Sequence, residues 1–281
     1  MTCRVAFGLV WSDFDRSQLR QDALRRSLVA PVGPYAALDV VATVASTNTA
    51  LAAAARQGAP DRTVLVAEHQ TAGRGRAARR WVAPARSGLE LSVLLRLTEV
   101  PQARWGWVPL LAGVALCRTV STLGKLPTTL KWPNDLLLGA GRRKVAGILA
   151  EVVSGPAVVV GIGLNVTLRA DELPVPGATS LTIERAACTD RDPLLRDLLR
   201  SLDSELRVWC GHQGDPIATG LREAYRLHCA TLGEQVRVDL AGQPTLTGTA
   251  VDVDTEGRLV VLSGGQQVAL SAGDVTHIRA A

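Results

Sequence analysis

Four arginines and two glycines fall within nine positions of the chain, residues 73–81. Glycine lets a backbone bend and approach a ligand closely. Arginine offers a planar fork of donors that matches carboxylate and phosphate groups. The segment, called the arginine loop below, therefore predicts an anion-binding loop. Taken alone, it is equally typical of a solvated basic loop or a nucleic-acid patch.

A second polar motif is Lys131-Trp132-Pro133-Asn134-Asp135. Proline interrupts strand pairing and Asn-Asp favours a turn, so the motif is expected where a strand ends. A lysine, an indole and a carboxylate at such a place suit a phosphate, a flat ring and a metal ion. Taken alone, however, the motif favours an ordinary β-bend with a packed tryptophan.

A third motif begins at Lys144 and continues with mainly apolar residues to Glu151. This pattern predicts a strand with the Lys144 ammonium directed into a site at its end. Gly161 and Gly163 alternate on the next strand and predict a smooth wall for a flat ligand. They do not form a dinucleotide fingerprint, because no helix with the required spacing follows. Only three of the 31 basic residues are lysines. A lysine in so arginine-rich a chain, such as Lys144, indicates a position where a guanidinium cannot replace the compact ammonium.

Cap residues precede an alanine-rich helix at Ser46-Thr47-Asn48. A helix N-terminus presents N–H groups and hydroxyls to a ligand as well as capping the helix. Gln70 links a predicted strand to the arginine loop. The four histidines are scattered, and neither a Ser-His-Asp set nor a Cys/His metal cage is predicted.

The remaining elements are predicted from periodicity and turn residues. A long helix is expected over 103–123, and a turn at 139–143 pairs two strands as a hairpin. A later helix is expected to begin with Asp192 as its cap and Pro193 in its first turn. From residue 233 onward, strands of about five to seven residues alternate with glycine turns, as in a small β-barrel. The pattern predicts an α+β fold.

Composition favours a globular soluble protein, and its mild positive charge tolerates anionic partners without demanding DNA. The chain has 281 residues, 47% apolar and 20% charged, with a net charge of +5. No apolar run reaches the roughly 18 residues of a membrane helix, and no secretory signal is predicted. The five cysteines are widely spaced, which favours reduced thiols in a cytoplasm.

Together, the arginine loop and the segments 131–135, 144–151 and 161–166 resemble the biotin protein ligase family in order and spacing. The resemblance covers about residues 38–281. It implies a mixed sheet flanked by helices, like the class II aminoacyl-tRNA synthetases, followed by a small SH3-like β-barrel. The expected domains are an N-terminal extension over 1–35, a catalytic domain over 36–230 and the barrel over 231–281. The short N-terminus resembles members without a DNA-binding domain.

The resemblance implies that ATP and Mg²⁺ activate biotin to biotinyl-5′-AMP with release of pyrophosphate. Biotin then passes to one lysine of a biotin carboxyl carrier domain, as in acetyl-CoA carboxylase. The expected protein is cytoplasmic, has no tightly bound prosthetic group, and binds neither DNA nor membranes. Monomer and homodimer both stay open.

The resemblance also implies residue roles. Lys144 and Arg76 are the expected catalytic charges, and Asp135 is the expected Mg²⁺ ligand. Biotin is expected to contact Ser46, Thr47, Asn48, Gln70, Arg74, Gly75, Arg76 and Lys144. The nucleotide is expected to contact Arg79, Trp81, Lys131, Asn134, Asp135 and Asn165.

The chain departs from the family pattern at Ala78, where a third glycine is usual. Alanine at a positive φ costs on the order of 1 kcal/mol, so we expect a less tightly closed loop or a variant turn near Arg79 and Arg80. Two rival functions remain: a lipoate or octanoate ligase or transferase of related fold, and a nucleic-acid-binding protein.

Overall fold

A computed structural model describes residues 16–239, 245–271 and 274–277. The predictions for residues 1–15, Leu240 and Ile278 lie outside the described residues. The helices are α1 (Gln21–Leu28), α2 (Thr47–Arg56), α3 (Trp107–Gly124), α4 (Arg191–Gly211) and α5 (Leu221–His228). The strands are β1 (Ala37–Val41), β2 (Thr63–Ala67), β3 (Gly88–Arg96), β4 (Thr128–Lys131), β5 (Asp135–Leu138), β6 (Arg143–Ser154), β7 (Ala157–Asn165), β8 (Gln235–Asp239), β9 (Leu246–Val253), β10 (Leu259–Ser263), β11 (Gln266–Leu270) and β12 (Asp274–His277).

The large sheet has the strand order β1-β2-β3-β7-β6-β5-β4. β1 and β2 run parallel because α2 connects them, and the other neighbours are antiparallel. The predicted turn after residue 138 closes the β5–β6 hairpin. The mixed sheet with flanking helices confirms the predicted fold class.

Successive residues of the central strands pack on opposite faces of the sheet, as the strand period requires. On one face, Leu94 of β3 packs with Leu51 and Ala55 of α2. On the other face, Val93 and Leu95 join the main core beneath α3 and α4. The sheet therefore forms the middle layer between α2 and the longer helices.

Helix α3 is long and apolar enough, by length and composition, to cross a membrane, although the sequence predicted no such span. Of its 18-residue window, 72% is buried inside the fold. It packs against the sheet, α4 and α5. These contacts are those of a core helix.

The prediction that Asp192 caps the long C-terminal helix was wrong. Asp190 is the N-cap, and its carboxylate accepts from the Asp192 N–H at 3.0 Å. Asp192 instead accepts from the Arg20 backbone N–H and side chain. Asp192 does not cap the helix because its carboxylate is paired with Arg20 of the N-terminal segment. Pro193 does lie in the first turn.

The second sheet, in the order β11-β10-β9-β8-β12, is antiparallel and forms the predicted C-terminal β-domain. Two tryptophans of the larger unit hold its β9–β10 turn. Trp107 Nε1 donates to Thr255 O at 3.0 Å, and Trp132 Nε1 donates to Gly257 O at 3.1 Å. The barrel turn is therefore fixed against the core beside the Lys131–Asp135 motif.

Candidate active site

A cavity of about 370 Å³ lies where the α2 N-terminus, the arginine loop, the β4–β5 turn and strands β6 and β7 meet. The structure brings every residue that the sequence predicted for the site to this cavity, while the role of each stays a prediction. These lining residues are Ser46, Thr47, Asn48, Gln70, Arg74, Gly75, Arg76, Arg79, Trp81, Lys131, Asn134, Asp135, Lys144 and Asn165.

The start of α2 forms one wall. Ser46 is the N-cap and accepts from the Thr49 N–H at 3.4 Å. Gln70 reaches across from the end of the β2 segment, and its Oε1 accepts from both Thr47 N and Thr47 Oγ1, at 2.8 and 3.1 Å. Ser92 of β3 lies 2.7 Å from Thr47 Oγ1. These bonds fix a row of polar groups along the wall.

Asn48 is held from three directions and is buried. Its Nδ2 donates to Leu149 O and to Glu151, at 3.1 and 2.8 Å, and its Oδ1 accepts from Ser92 at 2.6 Å. A Cβ at Gly161 would lie 2.2 Å from Asn48 Oδ1. Glycine at 161 is therefore required by the close approach of this amide.

The arginine loop forms a short, closed turn. Trp81 N donates to Gly73 O at 2.9 Å, and Gly75 N donates to Arg79 O at 2.7 Å. Between these rungs, Ala77 and Ala78 have φ of +51° and +58°. The turn thus uses the left-handed region at the position where the family pattern has glycine, and both alanines carry strain there.

Trp81 anchors the base of this loop on the glycine wall. A Cβ at Gly163 would lie 2.4 Å from its indole ring, and one at Gly147 would lie 3.3 Å from it. Gly147 and Gly163 are paired across β6 and β7. The smooth wall that the sequence predicted exists, but the flat ring lying against it is the protein's own indole.

Lys144 and Asp135 form an ion pair at the cavity, with Nζ and Oδ1 2.6 Å apart. Strand β6 is also held by the loop that follows β7. Lys144 N donates to Gly177 O, and Thr179 N donates to Lys144 O, both at 2.8 Å. The ammonium is therefore positioned at the strand end, as the sequence predicted.

Asn134 and Asn165 both line the cavity and hold neighbouring backbone carbonyls. Asn134 Nδ2 donates to Ile148 O at 2.9 Å, and Asn165 Nδ2 donates to Thr179 O at 3.0 Å. Trp132 is buried in the core, which agrees with the packed tryptophan that the motif favoured. Among the described residues, no group of three or more His, Cys, Asp or Glu side chains could hold a metal ion.

Sequence reasoning missed Glu90, a buried carboxyl on β3 next to the site. Burial raises its pKa to about 7, and the Gln70 and Trp81 donors and the Arg191 charge offset part of this rise. The available signal was an acidic residue inside a largely apolar strand, β3.

Other missed residues line the cavity from segments that are distant in the chain. The strand β6 contributes Gly147, Ile148 and Leu149, and the proline-rich stretch after β7 contributes Pro174, Val175 and Ala178. Strand β12 contributes Val275 and Thr276. The prolines of the stretch 174–177 hinted at a special loop, whereas nothing in the sequence indicated that β12 reaches the site.

Two family models match this chain. The biotin/lipoate A/B protein ligase family model matches residues 40–166, and the biotin protein ligase C-terminal domain model matches residues 231–277. A biotin--[acetyl-CoA-carboxylase] ligase from Mycobacterium tuberculosis is 45% identical over 273 residues, which cover 94% of this chain and 99% of the relative. The chain belongs to the biotin protein ligase family.

A further relative and a solved structure support this family assignment. The biotin--[acetyl-CoA-carboxylase] ligase of Paracoccus denitrificans is 33% identical over 75% of this chain and 88% of the relative. A solved structure, the biotin protein ligase from Aquifex aeolicus in complex with biotin and ATP, superposes with a TM-score of 0.71 and 27% identity. The match covers 88% of this chain and all of that one.

Proposed function

We propose that this chain is a biotin protein ligase, which joins biotin to a lysine of a biotin carboxyl carrier domain in two steps through biotinyl-5′-AMP. The observation that carries the proposal is the convergence of Lys144, Arg74 and Arg76 on a cavity that is also lined by the polar start of α2. An acid substrate and a nucleotide phosphate both need such a site, because both bring negative charge.

In the first step, a carboxylate oxygen of biotin attacks the α-phosphorus of ATP, and the bond from phosphorus to the pyrophosphate oxygen breaks. Two anions must approach each other, so fixed positive charge lowers the barrier most. Lys144 supplies a compact charge at the strand end, and its pairing with Asp135 holds it at the cavity. Arg74 and Arg76 supply planar donors from the loop.

In the second step, the acceptor lysine amine attacks the acyl carbon of biotinyl-AMP. The bond from this carbon to the phosphate oxygen breaks, AMP leaves with the electron pair, and the amine loses a proton. The acceptor supplies the nucleophile, so the enzyme needs only to hold the adenylate and exclude water. Trp81, seated on Gly147 and Gly163, anchors the loop for that task.

We also propose that Mg²⁺ binds with ATP. Mg²⁺ prefers one or two carboxylates together with substrate phosphates, and Asp135 offers a single half-buried carboxylate beside Lys144. The donor set therefore fits a metal that arrives with the nucleotide. When bound, the ion would neutralise phosphate charge.

The proposed partner is the carrier domain of acetyl-CoA carboxylase, and the proposed location is the cytoplasm. We propose that the chain does not bind DNA, and that biotin, rather than lipoate or octanoate, is its acid. Light scattering during size-exclusion chromatography measures the molar mass of the protein and so distinguishes a monomer from a homodimer. If the chain does not bind DNA, immobilised DNA should fail to retain it even at low salt, where electrostatic binding is strongest.

The test is acceptor biotinylation with the purified chain, ATP, Mg²⁺, biotin and a carrier domain. The expected result is a mass gain of one biotin on the acceptor, and none when its target lysine is replaced by arginine. Parallel reactions with lipoate and octanoate, read as acyl-adenylate by mass spectrometry, test the rival acids. Activation of either acid in preference to biotin would contradict the proposal.

A further inference from the structure

Glu90 is a buried carboxyl that the reaction described above does not use. It is 3% exposed, and no described residue completes a hydrogen bond of normal geometry to either oxygen. The indole Nε1 of Trp81 is in the same condition, buried and without a completed hydrogen bond among the described residues. Buried polar groups left in this state are costly and rare.

The two groups face each other. Glu90 is directly opposite Gly163 across β3 and β7, so their side-chain positions lie on the same face of the sheet. Gly163 is the residue that the Trp81 ring covers. The Trp81 N–H is also one of the donors that lower the pKa of Glu90. An unsatisfied donor and an unsatisfied acceptor therefore lie side by side under the base of the arginine loop.

We propose that Glu90 is a positioning residue, which accepts a hydrogen bond from Trp81 Nε1 and thereby anchors the arginine loop when the adenylate binds. This rests on the proposed function. A small inward movement of the loop base would satisfy both groups at once, whereas an outward movement would leave both unpaired. The anchor acts through Trp81, because Glu90 itself does not line the cavity.

The anchor makes adenylate binding dependent on pH. An N–H donor favours the ionised carboxylate, so binding lowers the pKa of Glu90 from about 7 and releases a proton. Affinity therefore rises as pH increases towards 7. The groups that face Glu90 are Gln70 and Trp81 from the loop side and Arg191 from α4. Arg191 is paired with Glu68 at 2.6 Å.

The test is the dissociation constant of a non-hydrolysable biotinyl-adenylate analogue, measured by calorimetry from pH 5.5 to 8. The wild-type chain should bind about tenfold more tightly at the upper end, since one unit of pKa shift corresponds to a factor of ten. Glu90→Gln keeps the shape but cannot ionise, and its affinity should change little with pH. Trp81→Phe keeps an aromatic ring but removes the N–H donor, and its affinity should likewise change little with pH.

The double variant should be no weaker than Trp81→Phe alone, because the two changes remove one interaction. Trp105→Phe is the matched control, since its Nε1 donates to Val100 O outside the site. Nitrogen-15 spectra of the indoles supply a second readout: the Trp81 Nε1–H signal should change with pH in the wild type, where Glu90 ionises, and not in Glu90→Gln, whose amide oxygen still accepts but has no proton to lose.

An unaltered pH dependence in Glu90→Gln, or additive losses in the double variant, would overturn the anchor while leaving the ligase proposal intact. Failure of the wild-type chain both to bind the analogue and to biotinylate a carrier domain would overturn the proposed function and the anchor with it.

Discussion

Arg74 of the arginine loop and Glu151 of strand β6 are joined by an ion pair, with Nη2 and Oε1 3.0 Å apart. The same carboxylate accepts from Asn48 Nδ2 at 2.8 Å. One side chain therefore ties the loop above the cavity to the helix that forms its wall. The sequence placed Arg74 and Asn48 in the site separately and assigned Glu151 no role.

Glu151→Gln should weaken the hold on the loop only modestly. The pair is half exposed, so its loss costs about 0–1 kcal/mol, and glutamine still offers Asn48 an acceptor. We expect the KM for biotin to rise by about two- to fivefold with kcat nearly unchanged. Glu151→Ala should be worse, because it also leaves the buried Asn48 amide without this acceptor. Equal effects of the two variants in steady-state kinetics would contradict this division.

Lys144→Ala should reduce the rate of pyrophosphate release by about 10² or more, as expected for the loss of a focused charge where anions meet. Lys144→Arg should also be poor, because a guanidinium is larger and planar. Lys125→Arg is the matched control, since Lys125 lies at the end of α3 and outside the cavity. Wild-type rates in Lys144→Ala would exclude the catalytic role.

Ala78→Gly should relieve backbone strain in the arginine loop. Ala78 has φ of +58°, which costs an alanine on the order of 1 kcal/mol. We expect the variant to hold biotinyl-AMP about fivefold longer, read as the dissociation rate of the adenylate. The control is Ala53→Gly, in which glycine replaces an exposed alanine of α2 and should only destabilise the fold. Faster release of biotinyl-AMP from Ala78→Gly would contradict this expectation, because it would show that the added flexibility of the loop outweighs the relief of strain.

Glu90→Gln should raise stability at neutral and alkaline pH. Burial raises the pKa of Glu90 from 4.5 to about 7 in the folded chain, so the folded state binds the proton more tightly than the unfolded state. The free energy of unfolding of the wild type therefore falls as pH rises from about 4.5 to 7. Relative to Glu90→Gln, the change should amount to about 3 kcal/mol.

Urea unfolding of both proteins at pH 5 and pH 8 measures this difference. The advantage of Glu90→Gln should grow between the two pH values, because glutamine has no proton to lose. A constant difference would mean that Glu90 titrates alike in the folded and unfolded chains.

Local sequence was informative wherever local physics decides the structure. The alternation of Gly161 and Gly163 predicted the smooth wall on β7, and the turn after Leu138 predicted the β5–β6 hairpin, because side-chain period and turn chemistry act over a few residues. The prediction failed at Asp192, where a residue 172 positions away, Arg20, takes the carboxylate. Capping is local only when no distant partner competes.

The sequence by itself determined the polar inventory of this protein: the arginine loop, Lys144, Asp135 and the cap residues at 46–48, each in a segment whose type could be predicted. The tertiary structure decided what surrounds them. It laid Trp81 on the glycine wall, placed Glu90 beneath it, and brought β12 to the cavity. Those contacts join strands that are distant in the chain, so they depend on sheet order and packing, which no short segment encodes.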